Sequence, residues 1–186
     1  VYIHFLGDGR DTAPRSAAGY ARELRDYIQK VGIGQVATIV GRYYAMDRDK
    51  RWDRIKIAVD GLVHGQGEAI AEDGDYVKAI EARYEKDETD EFLKPIIVNG
   101  DSGRIKGGGF FPLYPYRFCI YRMAAAIDGD TLFLFNYRSD RMREISTVLG
   151  QVAKPVEVDI PKDLVSSTLF PAHLSFLLYS EEINST

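Results

Sequence analysis

"GQVATIVGRYYAMDRDKRWDR", residues 34–54, decides the fold. Its opening, GQVATIVG, is a short apolar run with a glycine at each end, and it predicts a buried strand. The character then changes abruptly. Arg42, Arg48, Lys50, Arg51 and Arg54 crowd around Asp47, Asp49 and Asp53, with Tyr43, Tyr44 and Trp52 between them. Residues 53–62 resume an apolar period, with Ile55, Ile57, Ala58 and Leu62 facing inward, which predicts a helix that stops near HGQG. A strand that runs into a loop and then a helix is the repeating unit of α/β proteins. That reading puts a dense set of guanidinium groups just beyond a strand end.

The neighbouring segments repeat the alternation. Upstream, VYIHFLGDG predicts a strand that ends in a Gly-Asp-Gly turn. Residues 11–32 predict a helix with Pro14 in its first turn, an apolar stripe of Tyr20, Leu24, Tyr27, Ile28 and Val31, and Gly32 as its stop. Downstream, GDYVKAIEARYEK predicts an amphipathic helix with Val77, Ile80 and Tyr84 on one face. KPIIVNG and TLFLFNY predict strands, and RSDRMREISTVLG a helix. The expected fold is α/β, a central mixed, partly parallel sheet flanked by helices, within one domain over residues 1–164.

Two stretches break the pattern. Residues 107–127 hold aromatics, two prolines and no acid, and they interrupt GRIK and DGDTLFLF, which would otherwise join. Residues 165–186 show neither a helical nor a strand period. The plain reading is a surface insertion and a frayed tail. The sharper reading is translated intron. Gly107 as GGT and Ile127-Asp128 as ATA-GAT would frame a GT…AG excision, and Val165-Ser166 as GTA-AGT would be a splice donor read through to a chance stop.

Composition narrows the partners. Of the residues, 45% are hydrophobic and 28% charged, as in a soluble globular protein. A net charge of −4 and a pI near 5.4 argue against general binding to nucleic acid or anionic membranes. No apolar run approaches a membrane span, and the opening VYIHFLG reads as a strand, not a signal peptide. The expected location is cytoplasmic. Cys119 is the only cysteine, which excludes an internal disulfide and a cysteine-based zinc site. The chain opens at Val1 and not at Met, so further sequence upstream is expected.

Three arginine-bearing segments follow or end predicted strands: DGRD, GRYYAMDRDKRWDR and NYRSDR. Ligands of open α/β sheets collect at the carboxyl ends of strands. The candidate binding groups are Arg10, Arg42, Arg48, Arg138 and Arg141. Arg grips phosphate or carboxylate with two parallel hydrogen bonds, which Lys cannot do. Arg138 and Arg141 can share one face at a helix start, where free N–H groups also favour anions. The expected ligand is small and multiply anionic. Asp11, Asp47, Asp49 and Asp140 either fix the arginines or accept hydrogen bonds from ligand hydroxyls. A competing reading makes DRDKRWDR a solvated, salt-bridged helix start.

The catalytic inventory is thin. His4, His64 and His173 have no metal-ligand partner at helical or turn spacing, and each is expected to be structural or solvated. No Ser lies in an activating motif, and GDGR is too short for a phosphate-cradling P-loop.

The stretches HFLGDGRDTAPRSA, GRYYAMDRDKRWDR, KPIIVNGD and DTLFLFNYRSDRMREI closely resemble the 2,3-bisphosphoglycerate-independent phosphoglycerate mutases. The resemblance covers about residues 1–106 and 128–164. It implies an enzyme of glycolysis and gluconeogenesis that interconverts 3-phosphoglycerate and 2-phosphoglycerate through a phosphoserine intermediate. It also implies two parts. A metal-binding, phosphatase-like domain carries two Mn²⁺ (or Mg²⁺) and the nucleophilic Ser. An inserted phosphotransferase domain, the part this chain resembles, binds and reorients the glycerate. On this likeness Arg10 and Asp11 match a substrate-binding pair. Arg42 and Arg48 match the arginines of the GRYYAMDR motif, and Arg138 and Arg141 those of NYRSDR. The Ser nucleophile, the metal ligands and a substrate-binding His of the family have no counterpart here. The chain alone is therefore expected to bind no metal and to be inactive. The alternative is a stand-alone, non-catalytic module for phosphate or carboxylate.

Overall fold

β1 (Tyr2–Gly7) and β2 (Gln35–Gly41) lie side by side and parallel, joined by α1 (Ala17–Val31). This is the expected β-α-β unit. The structure, a computed structural model, describes residues 1–70, 74–105, 131–136, 139–150 and 175–179. They divide between two compact units, Val1–Arg104 and Ile105–Thr186.

In the first unit, β2 leads into a single helical turn, α2 (Arg42–Ala45), and then α3 (Trp52–Val59), which continues as a π-helical turn, Asp60–His64. There follow β3 (Glu68–Ala69), α4 (Tyr76–Tyr84), a 3-10 turn at Asp90–Phe92 and β4 (Ile96–Ile97). The sheet order is β1-β2-β4-β3. β2 and β4 are antiparallel, whereas β3 and β4 are parallel. The fold is thus α/β, with a mixed, partly parallel sheet and flanking helices.

β2 is buried along nearly its whole length, which explains its unbroken apolar sequence. Val36 and Ile39 pack with Val77 and Ile80 of α4, with Leu93, Ile96 and Val98, and with Ala17, Ala18 and Ala21 of α1. The buried face of α1 therefore differs from the expected stripe. Leu24 and Ile28 pack against the core, but Tyr20, Tyr27 and Val31 are exposed. Alanines let the helix approach the sheet closely, and the bulky residues turn outward. The helix also starts later than expected, at Ala17, so Pro14 lies in the turn before it. Gly32 closes it in a left-handed conformation, as expected. In α3, Ile55 and Ala58 are buried and Ile57 is exposed.

His4 is a strand residue opposite Thr38 in the register, and its Nδ1 lies 2.8 Å from the Thr38 hydroxyl. Burial pushes its imidazole down to about 4, so it is neutral at physiological pH. It serves as a cross-strand tie, the structural role expected of it.

The second unit contains β5 (Thr131–Phe135), α5 (Ser139–Gly150) and β6 (Ser175–Tyr179). β6 pairs with β5 in parallel, from Thr131 opposite Ser175 to Phe135 opposite Tyr179. Residues 165–186 show no period in the sequence, yet Ser175–Tyr179 form this strand. SFLLY is apolar without alternation, as parallel strands often are. On α5, Met142, Ile145, Val148 and Leu149 are buried. The insertion at 107–127, His173 and the remainder of the tail lie outside the described residues.

Candidate functional site

The parallel pairing of β1 and β2 ends on two glycines, Gly7 opposite Gly41. The loops that leave the two strands therefore start as neighbours. After Gly7 the chain folds on the carboxylate of Asp8, whose Oδ1 accepts the N–H groups of Arg10 and Asp11, each at 3.2 Å. Gly9, at φ 66°, supplies the left-handed step, and its N–H donates to the Thr12 hydroxyl at 3.2 Å.

After Gly41 the first residue is Arg42. Its side chain is 3% exposed. Its Nη1 donates to Asp11 Oδ2 at 2.8 Å and to Asp8 Oδ1. Two carboxylates from the first loop thus clamp one guanidinium from the second. Burial works against the charge on Asp8, but Arg42 and the N–H groups of Asp11 and Arg10 outweigh it and hold the carboxyl below its ordinary range. Burial likewise works against the charge on Arg42, and Asp11 and Asp8 more than restore it. The other terminal nitrogen, Nη2, is buried and has no hydrogen-bond partner among the described residues. Arg10 is well exposed, with Nη1 3.8 Å from Glu91.

The rest of the arginine-rich stretch is organised differently. Asp47 is buried, and its carboxylate accepts the N–H groups of Asp49 at 3.0 Å and Arg51 at 2.9 Å, plus Arg51 Nη1 at 2.7 Å. Burial alone would raise its carboxyl; the bonds from Arg51 and Asp49 lower it below the ordinary range. Arg51 also reaches Asp49 at 2.9 Å. The guanidinium of Arg54 stacks on the Tyr43 ring at 3.8 Å, and Tyr43 in turn packs on Tyr44 and Phe92. Asp47 and Asp49 therefore tie Arg51, a helix-start network of the kind the competing reading described. Arg48 is exposed on this loop.

The structure thus brings Arg10, Asp11 and Arg42 to one end of the sheet. Arg141 lies on α5 in the second unit, with Asp140 beside it in the first turn, and Arg138 falls outside the described residues. Asp8 and Asp90 belong to this end of the sheet and were missed. For Asp8 a signal existed in the Asp-Gly turn. For Asp90 none did, because its partners Ser16 and Ala17 lie far away in sequence. Among the described residues, no three His, Cys, Asp or Glu side chains are grouped to hold a metal, and no helix is long and apolar enough to cross a membrane.

The mixed, partly parallel sheet with its flanking helices defines an α/β domain, and a buried, carboxylate-clamped arginine lies where two of its strands end side by side. Residues 1–170 match the family model described as BPG-independent PGAM N-terminus (iPGM_N). The chain belongs to that family of 2,3-bisphosphoglycerate-independent phosphoglycerate mutases. It is 46% identical over 181 residues to the 2,3-bisphosphoglycerate-independent phosphoglycerate mutase of Onchocerca volvulus, an alignment covering 95% of this chain and 31% of that protein. The Bacteroides thetaiotaomicron enzyme of the same name is 42% identical over 155 residues, with 83% of this chain and 26% of that one covered. In three dimensions the chain is similar to a phosphoglycerate mutase of Leishmania mexicana, crystallised at low cobalt concentration. The TM-score is 0.67 at 23% identity, over 95% of this chain and 28% of that one, a likeness of fold. The chain thus spans between about a quarter and a third of the length of these relatives.

Proposed function

We propose that this chain is the glycerate-binding part of a phosphoglycerate mutase, an isomerase that interconverts 3-phosphoglycerate and 2-phosphoglycerate in the cytoplasm. The observation that carries the reading is Arg42, whose Nη1 is clamped by Asp8 and Asp11 and whose buried Nη2 has no hydrogen-bond partner among the described residues. A buried donor without an acceptor costs about 1–3 kcal/mol, and a charge-assisted bond to a ligand oxyanion removes that cost. The clamp fixes the guanidinium before a ligand arrives, so less is lost in ordering it. Arg10 and Arg48, both exposed, join Arg42 as ligand groups on the strength of the family motif. Asp11, which accepts a hydrogen bond from Arg42 Nη1, joins the set on the same ground. Arg138 and Arg141 are assigned as ligand groups on the strength of the family motif alone.

Metal ions, two Mn²⁺ or Mg²⁺ on the family likeness, would stabilise charge on the phosphoryl oxygens. The described residues do not fit such a site. On the family likeness the ions, the nucleophile and their phosphatase-like domain would come from the remainder of the longer enzyme, of which this chain spans about a third. The residues here bind and orient. Equal binding of ground and transition states does not accelerate a reaction. The chain alone is therefore inactive as a mutase.

Calorimetry at low salt tests the reading. The chain binds 3-phosphoglycerate weakly, and Arg42→Lys or Arg138→Lys weakens it further, because a point charge lacks the two-pronged geometry. Equal affinity of wild type and Arg42→Lys would sink the assigned role. An enolase-coupled assay shows no turnover with or without Mn²⁺, and activity that copurified with the chain would contradict the division of labour.

A further inference from the structure

The turn Asp90–Phe92 lies against the candidate site and so far has no role. Asp90 is fully buried. Its Oδ2 accepts the N–H groups of Ser16 and Ala17, each at 2.8 Å, and the Ser16 hydroxyl at 3.3 Å. Its Oδ1 accepts the Tyr84 hydroxyl, from the last residue of α4. Its own N–H donates to the Pro14 carbonyl at 2.9 Å. Ser16, at the N-cap position of α1, makes no side-chain cap, so the carboxylate of Asp90 caps that helix from a distance.

From this pinned point the turn meets both site loops. A Cβ built on Gly7 would come within 2.8 Å of the Asp90 carbonyl oxygen, and one on Gly9 within 2.8 Å of Asp90 Cβ. A Cβ on Gly41 would come within 2.3 Å of the Glu91 carbonyl oxygen. The Gly41 N–H donates to the Leu93 carbonyl at 2.8 Å, and Phe92 packs on Tyr43 with ring centroids 5.0 Å apart. The two glycine-flanked loops are therefore seated on one turn, which the Asp90 carboxylate ties to the start of α1 and the end of α4.

We infer that Asp90 is a positioning residue that sets the separation of the Asp8–Asp11 loop from Arg42, and thereby favours a ligand with two anionic ends over a single anion. The inference rests on the reading of Arg10 and Arg42 as ligand groups. A ligand that bridges both loops feels an error in their separation, whereas inorganic phosphate on one arginine does not.

The experiment compares 3-phosphoglycerate with inorganic phosphate on the full 186-residue chain by calorimetry. The variants are Asp90→Ala, Tyr84→Phe and Gly41→Ala, each with a urea melt to fix its folded fraction. A merely structural role lowers the folded fraction and reduces the binding-competent protein equally for both ligands. Positioning instead lowers the affinity ratio of 3-phosphoglycerate to phosphate by about tenfold in Asp90→Ala and Gly41→Ala. Tyr84→Phe, which leaves the other Asp90 bonds in place, shows a smaller fall and carries the test if the other two do not fold. A wild-type chain that fails to prefer 3-phosphoglycerate overturns the binding reading itself. A wild-type preference that persists unchanged in every folded variant overturns the positioning role alone.

Discussion

Two arginine–carboxylate networks occupy one short stretch of this chain, and they behave oppositely. Arg51 is 43% exposed and is held by Asp47 and Asp49, its near neighbours in sequence. Arg42 is 3% exposed and is held by Asp8 and Asp11, which only the pairing of β1 with β2 brings close. The first network closes on itself. The second leaves a buried nitrogen without a hydrogen-bond partner among the described residues. Charge density in the sequence marked both equally, but burial and incomplete satisfaction distinguish them, and on the proposed function only Arg42 gains from a ligand.

The sharpest way to break this comparison is to remove each arginine. Arg42→Ala should lower affinity for 3-phosphoglycerate by roughly a hundredfold, the loss of a shielded, two-pronged charge-assisted contact. Arg51→Ala should leave affinity essentially unchanged. Comparable losses in the two variants would erase the distinction.

Asp47→Ala tests the scaffold side. It removes a buried acceptor of two backbone N–H groups and a guanidinium, and it should cost about 2 kcal/mol in urea melts while binding per folded molecule persists. A binding loss without a stability loss would move Asp47 into the site.

Acid sharpens the comparison further. His4 is held down to about 4 from 6.5, so between those values the unfolded chain takes up a proton that the folded chain refuses. Stability present at neutral pH is thus lost as pH falls through that window, by up to about 1.4 kcal/mol per pH unit. Asp8 and Asp47 are lowered below 3.8, so their contributions are present above that value and disappear only as pH falls through their folded values. His4→Gln should flatten the upper window alone, and Asp47→Ala should reduce the lower, where Asp8 still contributes. An upper window unchanged in His4→Gln would refute the assignment. The smallest effect is expected at the stack of Arg54 on Tyr43. There Tyr43→Leu should cost about 0.5–1 kcal/mol in the same melts, with no change in ligand affinity.

Much of this was legible in the sequence. The apolar run of β2, the closing glycine of α1 and the period of α4 report local physics, and Arg10, Asp11 and Arg42 could be picked from their placement after strands. What was illegible depends on partners distant in the chain. The burial of Ala17, Ala18 and Ala21 in place of Tyr20, Tyr27 and Val31 follows from how closely α1 approaches the sheet. β6 emerges only against β5, since SFLLY alone has no strand period. Asp90 looks like one acid among several in DETDEF, yet it is the one fully buried beneath the site. The division of the arginine-rich stretch into clamp and scaffold could not be read from charge pattern, because both halves contain the same residue types.

The most direct test of the central claim is a crystal structure of this chain grown with 3-phosphoglycerate. The account predicts a phosphate or carboxylate oxygen within hydrogen-bond distance of Arg42 Nη2, with Nη1 still held by Asp8 and Asp11. A ligand bound elsewhere, with Nη2 satisfied by a protein group, would contradict it.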